Sequence, residues 1–276
     1  MGQPEWLRSA ICIGLLLIPS LGAASGKCER LIATGSPDAP PYLWRDPKDP
    51  KHLIGANADL FKQVAQELGI KVEMLYAGKR SQALDEVRSG RMDLLLDAPL
   101  SLTELDALDY IHPPLVQNEV MVWTRHDQPL EFKSLVDLQG HAGAASERIR
   151  LTQTADATAK GALNLTRLPG LTEAFQQLML GQVSYVLASR YPGAAMVQTL
   201  GLGQDLVADP EPIDRPGLYL ALSFNSACND AWLRGQLAKK MTESAASGLA
   251  GEALKRNLDI WKAQLLQPAG ASAINK

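Results

Sequence analysis

The chain alternates between segments with the apolar period of a helix and short apolar segments with the composition of a strand. Residues 57–69 carry one apolar stripe of helical period, with Asn57 as a candidate N-cap and Gly69 at the C-terminal end. The next segments predict a strand, a helix and a buried strand at residues 71–76, 81–89 and 92–96. Such alternation is typical of an α/β fold in which helices cover mainly parallel sheets.

The same order of elements returns in the second half of the chain. Residues 83–98 (ALDEVRSGRMDLLLDA) and 174–189 (AFQQLMLGQVSYVLAS) each predict a helix, a terminating glycine and an apolar strand. This similarity indicates two lobes of like topology, although such units are common enough in α/β proteins that chance similarity stays open. Two facing sheets would bring the strand ends at Asp97, Ala98 and Ser189 to one cleft.

The first 24 residues have the pattern of a secretory signal peptide. Arg8 precedes the apolar run 10–18, and small residues lead to Ala24, where we expect cleavage. The apolar run is shorter than the roughly 20 residues that span a bilayer. The sequence therefore predicts a periplasmic, soluble protein, and residues 267–276 predict a disordered tail.

Composition and motifs exclude several classes of function. The net charge of −3, with no cluster of Lys or Arg, argues against a nucleic-acid partner. The sequence contains no nucleophile elbow, phosphate loop or zinc-protease motif, and the four histidines lack the spacing of metal ligands. We therefore predict no metal, no cofactor and no catalytic residue.

Two cysteines, Cys28 and Cys228, follow the predicted signal peptide. In an oxidising compartment an even pair favours a disulfide, while two unconnected buried thiols are the alternative.

Five short motifs occur in an order that resembles the family 3 extracellular solute-binding proteins, the periplasmic receptors of polar amino-acid ABC importers. They are Pro40-Pro41-Tyr42, Gly55, the segment 89–93 (SGRMD), the segment 108–114 (LDYIHPP) and the segment 137–140 (DLQG). The resemblance runs from about residue 29 to 261. It implies a two-lobed, type II periplasmic-binding-protein fold with a hinge, in which residues 29–120 plus 222–266 form lobe one and residues 121–221 form lobe two.

The resemblance also implies a function and partners. We expect a monomer that captures a small polar solute between the lobes and serves the membrane subunits of an ABC importer. Two alternatives stay open: a sensor module that passes ligand occupancy to a membrane receptor, and a dehydratase-like enzyme that uses Asp97 or Glu104 as a general acid. The family's topology places Cys28 and Cys228 in lobe one, where a disulfide would tie the first strand to a late helix.

The chain departs from the family at the groups that bind an α-amino acid. Family members hold the α-carboxylate with an arginine that follows the strand at 92–96, but residues 92–124 contain no Arg or Lys. Ser189 stands where the family has an acidic partner for the ammonium group. An α-amino acid in the usual pose would leave its charges uncompensated, so we expect simple amino acids not to bind tightly.

Other side chains are candidates to replace this clamp. Tyr42 and Trp44 lie in the loop that forms an aromatic wall in the family, although Trp44 is as well explained as a core residue. Asp97 and Glu104 would favour a cationic or polyhydroxylated solute if they faced the cleft. The full set of predicted ligand-binding residues is Tyr42, Trp44, Asp97, Ala98, Glu104, Ser146, Arg148 and Ser189.

Overall fold

The computed structural model describes residues 28–266, so the predicted signal peptide at 1–24 and the predicted tail at 267–276 lie outside the described residues. The strands are β1 (Arg30–Thr34), β2 (Asp38–Ala39), β3 (Leu43–Arg45), β4 (Leu53–Ile54), β5 (Lys71–Met74), β6 (Leu94–Pro99), β7 (Leu108–Gln117), β8 (Val120–Arg125), β9 (Ala142–Ser146), β10 (Asn164–Leu168), β11 (Tyr185–Ser189), β12 (Leu206–Ala208) and β13 (Gly217–Ser223). The helices are α1 (Ala56–Glu67), α2 (Arg80–Arg88), α3 (Gln153–Ala162), α4 (Leu171–Met179), α5 (Arg190–Thr199), α6 (Ala231–Ser247) and α7 (Leu249–Leu265).

These elements form two lobes, each built on a five-stranded sheet. The strand order is β5-β1-β6-β13-β7 in lobe one and β10-β9-β11-β8-β12 in lobe two. The predicted two-lobed α/β fold is confirmed. The sheets are mixed rather than mainly parallel: β5-β1-β6 and β10-β9-β11 are parallel, while β13 and β8 pair antiparallel with their neighbours. The antiparallel strands are those next to the crossings between the lobes.

Two short segments join the lobes. The chain crosses at Asn118 and Glu119, between β7 and β8, and returns between β12 and β13. The backbone N–H of Val120 donates to the Asp214 carbonyl at 2.8 Å, which fastens the two crossings side by side. The apolar segment 116–124 predicts one continuous strand, but the structure divides it between the end of β7 and the start of β8, one in each sheet.

The boundary predicted at residue 221 is corrected by the position of β13. All of β13, from Gly217, pairs with β6 and β7 in the sheet of lobe one. Its apolar residues complete the core of that lobe; Leu220 and Leu222 pack there beside Leu31 and Phe61. Lobe two therefore ends near residue 216.

A disulfide joins Cys28 to Cys228 with a Cα–Cα distance of 5.3 Å, which confirms the predicted bridge. Both cysteines pack against the core of lobe one. The bridge fixes the start of β1 to the segment before α6, within one lobe and away from the crossings.

Candidate functional site

A groove of about 920 Å³ lies between the lobes. Lobe one contributes Pro99, Leu100 and Leu102 from the end of β6 and the turn after it, together with Gly217 and Tyr219 of β13. Lobe two contributes the segment after β9, the start of α3 and part of β10, including Arg150, Thr152, Asp156, Lys160 and Arg167. A solute in this groove would contact both lobes.

Asp97 lies at the carboxyl end of β6, as predicted from the strand ends, and is only 4% exposed. Its Oδ2 accepts from the Ser36 N–H at 3.2 Å and from Arg80 Nη1 at 3.3 Å. The same Arg80 nitrogen donates to Ser36 Oγ at 2.7 Å, while Asp97 Oδ1 is buried with no hydrogen-bond partner. The carboxylate is thus paired with a cation of its own lobe.

The approach of Ser36 to Asp97 depends on the residue before it. A Cβ on Gly35 would lie 2.6 Å from Asp97 Oδ1 and 2.5 Å from the Leu43 side chain. Glycine at this position therefore leaves the space in which the buried carboxylate sits. The neighbouring Ala98 is buried and pairs with Tyr219 of β13.

Glu104 lies in the short 3₁₀ turn Leu102–Glu104 that follows β6. It accepts two hydrogen bonds from Arg88, at 2.8 Å from Nε and 2.6 Å from Nη2. Asp97 and Glu104 are each paired with an arginine, so neither offers an uncompensated negative charge to a solute. The expectation of a cationic solute therefore loses its support.

The two predicted aromatic residues have different surroundings. Tyr42 is buried, and its ring packs edge-to-face on Tyr191 of lobe two with centroids 6.3 Å apart. Burial raises the pKa of the Tyr42 phenol far above its ordinary value, and the neighbouring Tyr191 adds to the shift. Trp44 is also buried, and its Nε1 donates to Gln264 of α7 at 3.0 Å. Tyr42 therefore lies where the lobes meet, and Trp44 packs against the C-terminal helix.

The predicted residues of lobe two lie at the ends of its strands. Ser146 ends β9, is buried, and accepts at Oγ from the Arg148 N–H at 3.1 Å. Arg148 is exposed and forms an ion pair with Asp38 of lobe one. Ser189 ends β11 and is the N-cap residue of α5, two positions before Tyr191. The structure thus brings Ser189 near the contact between Tyr191 and Tyr42.

Arg150 was missed by the sequence analysis. It lies in the segment between β9 and α3, lines the groove, and is partly buried. Burial lowers the pKa of its guanidinium, and the nearby cations Arg80 and Arg167 lower it further, while Asp97 opposes them. These interactions place Arg150 of lobe two within electrostatic reach of Arg80 and Asp97 of lobe one. No local pattern in the sequence separates Arg150 from Arg148, because residues 147–148 form a turn and packing decides which side chain faces the groove.

Two further searches cover only residues 28–266. No group of three or more His, Cys, Asp or Glu side chains in this range is arranged to hold a metal ion. Likewise, none of the helices in this range is both long and apolar enough to cross a membrane.

The family model for bacterial extracellular solute-binding proteins, family 3, matches residues 31–258. No curated protein matches the sequence. One similar solved structure is the amino acid ABC transporter substrate-binding protein AbpA from Streptococcus pneumoniae bound to L-arginine, with 19% identity, a TM-score of 0.60, and 84% of this chain and 96% of that chain covered. A histidine kinase sensor domain with similarity to periplasmic binding proteins has 22% identity and a TM-score of 0.60, and the match covers 87% of this chain and 97% of that chain. The GluR0 ligand-binding core in complex with L-glutamate has 16% identity and a TM-score of 0.63, and the match covers 85% of this chain and 99% of that chain.

Proposed function

This chain belongs to the bacterial extracellular solute-binding proteins, family 3, and from that premise we propose that it captures a small polar solute between its lobes for the membrane subunits of an ABC importer. The observation that carries the proposal is the groove of about 920 Å³, whose walls come from both lobes. A solute that contacts both walls stabilises the arrangement in which the lobes are close together. The proposal includes export to the periplasm after removal of the predicted signal peptide.

The connection between the lobes supports this mode of binding. Within residues 28–266 two short segments cross, and they are fastened to each other by backbone hydrogen bonds at Asn118 and Val120. Contacts between the lobes include the exposed Arg148–Asp38 ion pair, the Tyr42–Tyr191 ring contact and the approach of α5 to α7. A hinge of this kind moves two rigid sheets as bodies, and solute binding biases the equilibrium between open and closed forms.

The proposed contacts to the solute come from the walls of the groove, with Leu100, Leu102 and Tyr219 on lobe one and Arg150 and Thr152 on lobe two. The predicted strand-end residues Asp97, Ala98, Ser146 and Ser189 do not line this groove, and we assign them to the support of its walls. Tyr42 closes the cleft where it meets Tyr191. Trp44, Glu104 and Arg148 already have partners in the structure, and we assign them positioning roles.

The test is to recover the solute that the protein holds. The chain is produced with its own leader, purified without denaturation from the periplasmic fraction, and then denatured so that bound small molecules can be identified by mass spectrometry. We expect one dominant solute, and we expect its return to the emptied protein to reduce the radius of gyration measured by small-angle X-ray scattering. A protein that yields no solute, and that no compound in a broad metabolite set stabilises against heat, would contradict the proposal.

A sensor role is the second candidate, favoured by the structural similarity to a histidine kinase sensor domain. Both roles need the same capture step, so the distinction lies in what happens next. Deleting the gene should abolish uptake of the isotope-labelled solute if the protein serves an importer. It should leave uptake intact and abolish a solute-dependent transcriptional response if the protein serves a receptor.

A dehydratase-like activity has less support on the described residues. Asp97 and Glu104, the two carboxylates considered as general acids, already accept hydrogen bonds from Arg80 and Arg88. Neither is free to protonate a leaving group without first losing its arginine partner.

A further inference from the structure

The charged side chains around the groove are nearly all paired. Asp97 and Glu104 of lobe one hold Arg80 and Arg88. On lobe two, Asp156 holds both Lys160 and Arg167, at 2.6 and 3.4 Å.

Arg150 is the exception among the cations that line the groove; the exposed Glu147 is a lining carboxylate that likewise has no ion pair within 4 Å among residues 28–266. Among residues 28–266 the guanidinium of Arg150 has no hydrogen bond and no ion pair within 4 Å, although it is partly buried and has Arg80 as a cationic neighbour. A guanidinium keeps its charge at any physiological pH, so this desolvation is a cost that the folded protein bears. A bound anion would remove that cost by a two-pronged hydrogen-bonded pair.

The opposite wall of the groove is apolar. Leu100 and Leu102, from the end of β6 and the turn that follows, are 52% and 71% exposed and line the groove, together with Tyr219 of β13. Large aliphatic side chains at this exposure gain from any apolar surface that covers them. The groove therefore presents a single unpaired cation on one wall and apolar surface on the other.

On the premise of the proposed function, we propose that the solute is an organic monoanion, a carboxylate attached to an apolar body. The carboxylate pairs with Arg150, and the apolar body lies against Leu100 and Leu102. A dianion such as phosphate fits less well, because Glu147 and Asp156 line the same groove and would repel a second negative charge.

The test is calorimetric titration of the emptied protein with a panel of three matched series. These are monocarboxylates with aliphatic or aryl bodies of four to ten carbons, the corresponding primary amides, and the corresponding amines. We expect at least one carboxylate to bind, its amide to bind at least tenfold more weakly, and its amine to bind more weakly still. Arg150→Gln should weaken the carboxylate at least tenfold, and Arg150→Lys should retain part of the affinity.

Lys160→Gln is the matched control, because Lys160 is a cation on the same wall that Asp156 already pairs. Its effect should stay below threefold. A second readout is the melting temperature without solute, which should be unchanged or higher in Arg150→Gln, because the variant loses an unpaired and partly buried charge.

The outcomes separate the inference from the function on which it rests. If amides or amines bind as well as carboxylates, or if Arg150→Gln leaves carboxylate binding intact, the inference fails and solute capture stands. The same holds if the solute recovered from native protein has no carboxylate. If Arg150→Gln melts at a much lower temperature, Arg150 is structural and the inference also fails. If no compound binds and no solute is recovered, both proposals fall.

Discussion

Replacing Cys28 and Cys228 by serine removes a cross-link between residues 200 positions apart. A bridge of this span lowers the entropy of the unfolded chain by an amount worth about 5 kcal/mol at 25 °C. All of lobe two lies inside this loop, and its two ends are fastened together where the Val120 N–H meets the Asp214 carbonyl at 2.8 Å. If lobe two stays folded while lobe one unfolds, the flexible loop is about half as long, which lowers the effect by only about 0.6 kcal/mol. The expected loss in the stability of lobe one is therefore about 4–5 kcal/mol, whether lobe two is folded or unfolded at that stage.

Urea unfolding followed by circular dichroism measures this loss as a lower midpoint. Solute affinity should change less than twofold, because both cysteines pack in lobe one and neither lies at the crossings. Reductant provides the control: it should lower the midpoint of the wild-type protein to that of the double variant and leave the double variant unchanged. A loss below about 1 kcal/mol, or a wild-type midpoint that does not respond to reductant, would refute the reasoning.

Three further predictions test other parts of the structure. Gly143→Ala places a Cβ 2.2 Å from the buried ring of Tyr185 and should lower the free energy of unfolding in urea by about 1–3 kcal/mol. In the control Gly161→Ala the new Cβ has nothing within 4 Å, and the free energy of unfolding should rise by about 0.4–1 kcal/mol. Equal effects of the two substitutions would contradict the packing of Tyr185 against Gly143. Burial raises the pKa of Tyr185 to about 12, so stability should fall as the pH rises from about 10 to about 12, and Tyr185→Phe should flatten that fall in alkaline melting curves. Arg148→Gln breaks an exposed ion pair with Asp38 and should change solute affinity less than about fivefold by calorimetry, since such pairs contribute at most about 1 kcal/mol; a larger loss would mean that Arg148 contacts the solute.

The elements that sequence analysis located are those with a clear apolar period. The helix predicted at 57–69 and the buried strand predicted at 92–96 correspond to α1 and β6, with ends shifted by a few residues. The strand β9 was missed because its sequence, AGAAS, has no apolar bulk. Its small residues are needed where Tyr185 of the neighbouring strand packs across it. β7 was predicted only in its last residues because it contains Pro113 and Pro114, which an edge strand tolerates.

Sequence analysis located strand ends, but it did not find the residues that line the groove. The strand-end rule located Asp97 and Ser189 correctly at the ends of β6 and β11. Which cations approach a strand end depends on where long arginine side chains reach, and that is set by packing rather than by local sequence. Arg80 and Arg88, at the two ends of α2, reach Asp97 and Glu104 at separations of 17 and 16 residues.

These pairings change how the missing clamp of the family is understood. In lobe one Arg80 and Arg88 form ion pairs with carboxylates of the same lobe. Neither of them replaces the family's carboxylate-binding arginine after β6. In lobe two Arg148 is held at the surface by Asp38, while Arg150, two residues on, has no hydrogen-bond or ion-pair partner in the part of the chain that the structure describes. In the proposed binding mode the charged contact therefore comes from lobe two. An anion would bind first to lobe two, and closure would then cover its apolar body with Leu100 and Leu102. In this order of events, electrostatic attraction to Arg150 raises the association rate, and burial of apolar surface stabilises the closed form.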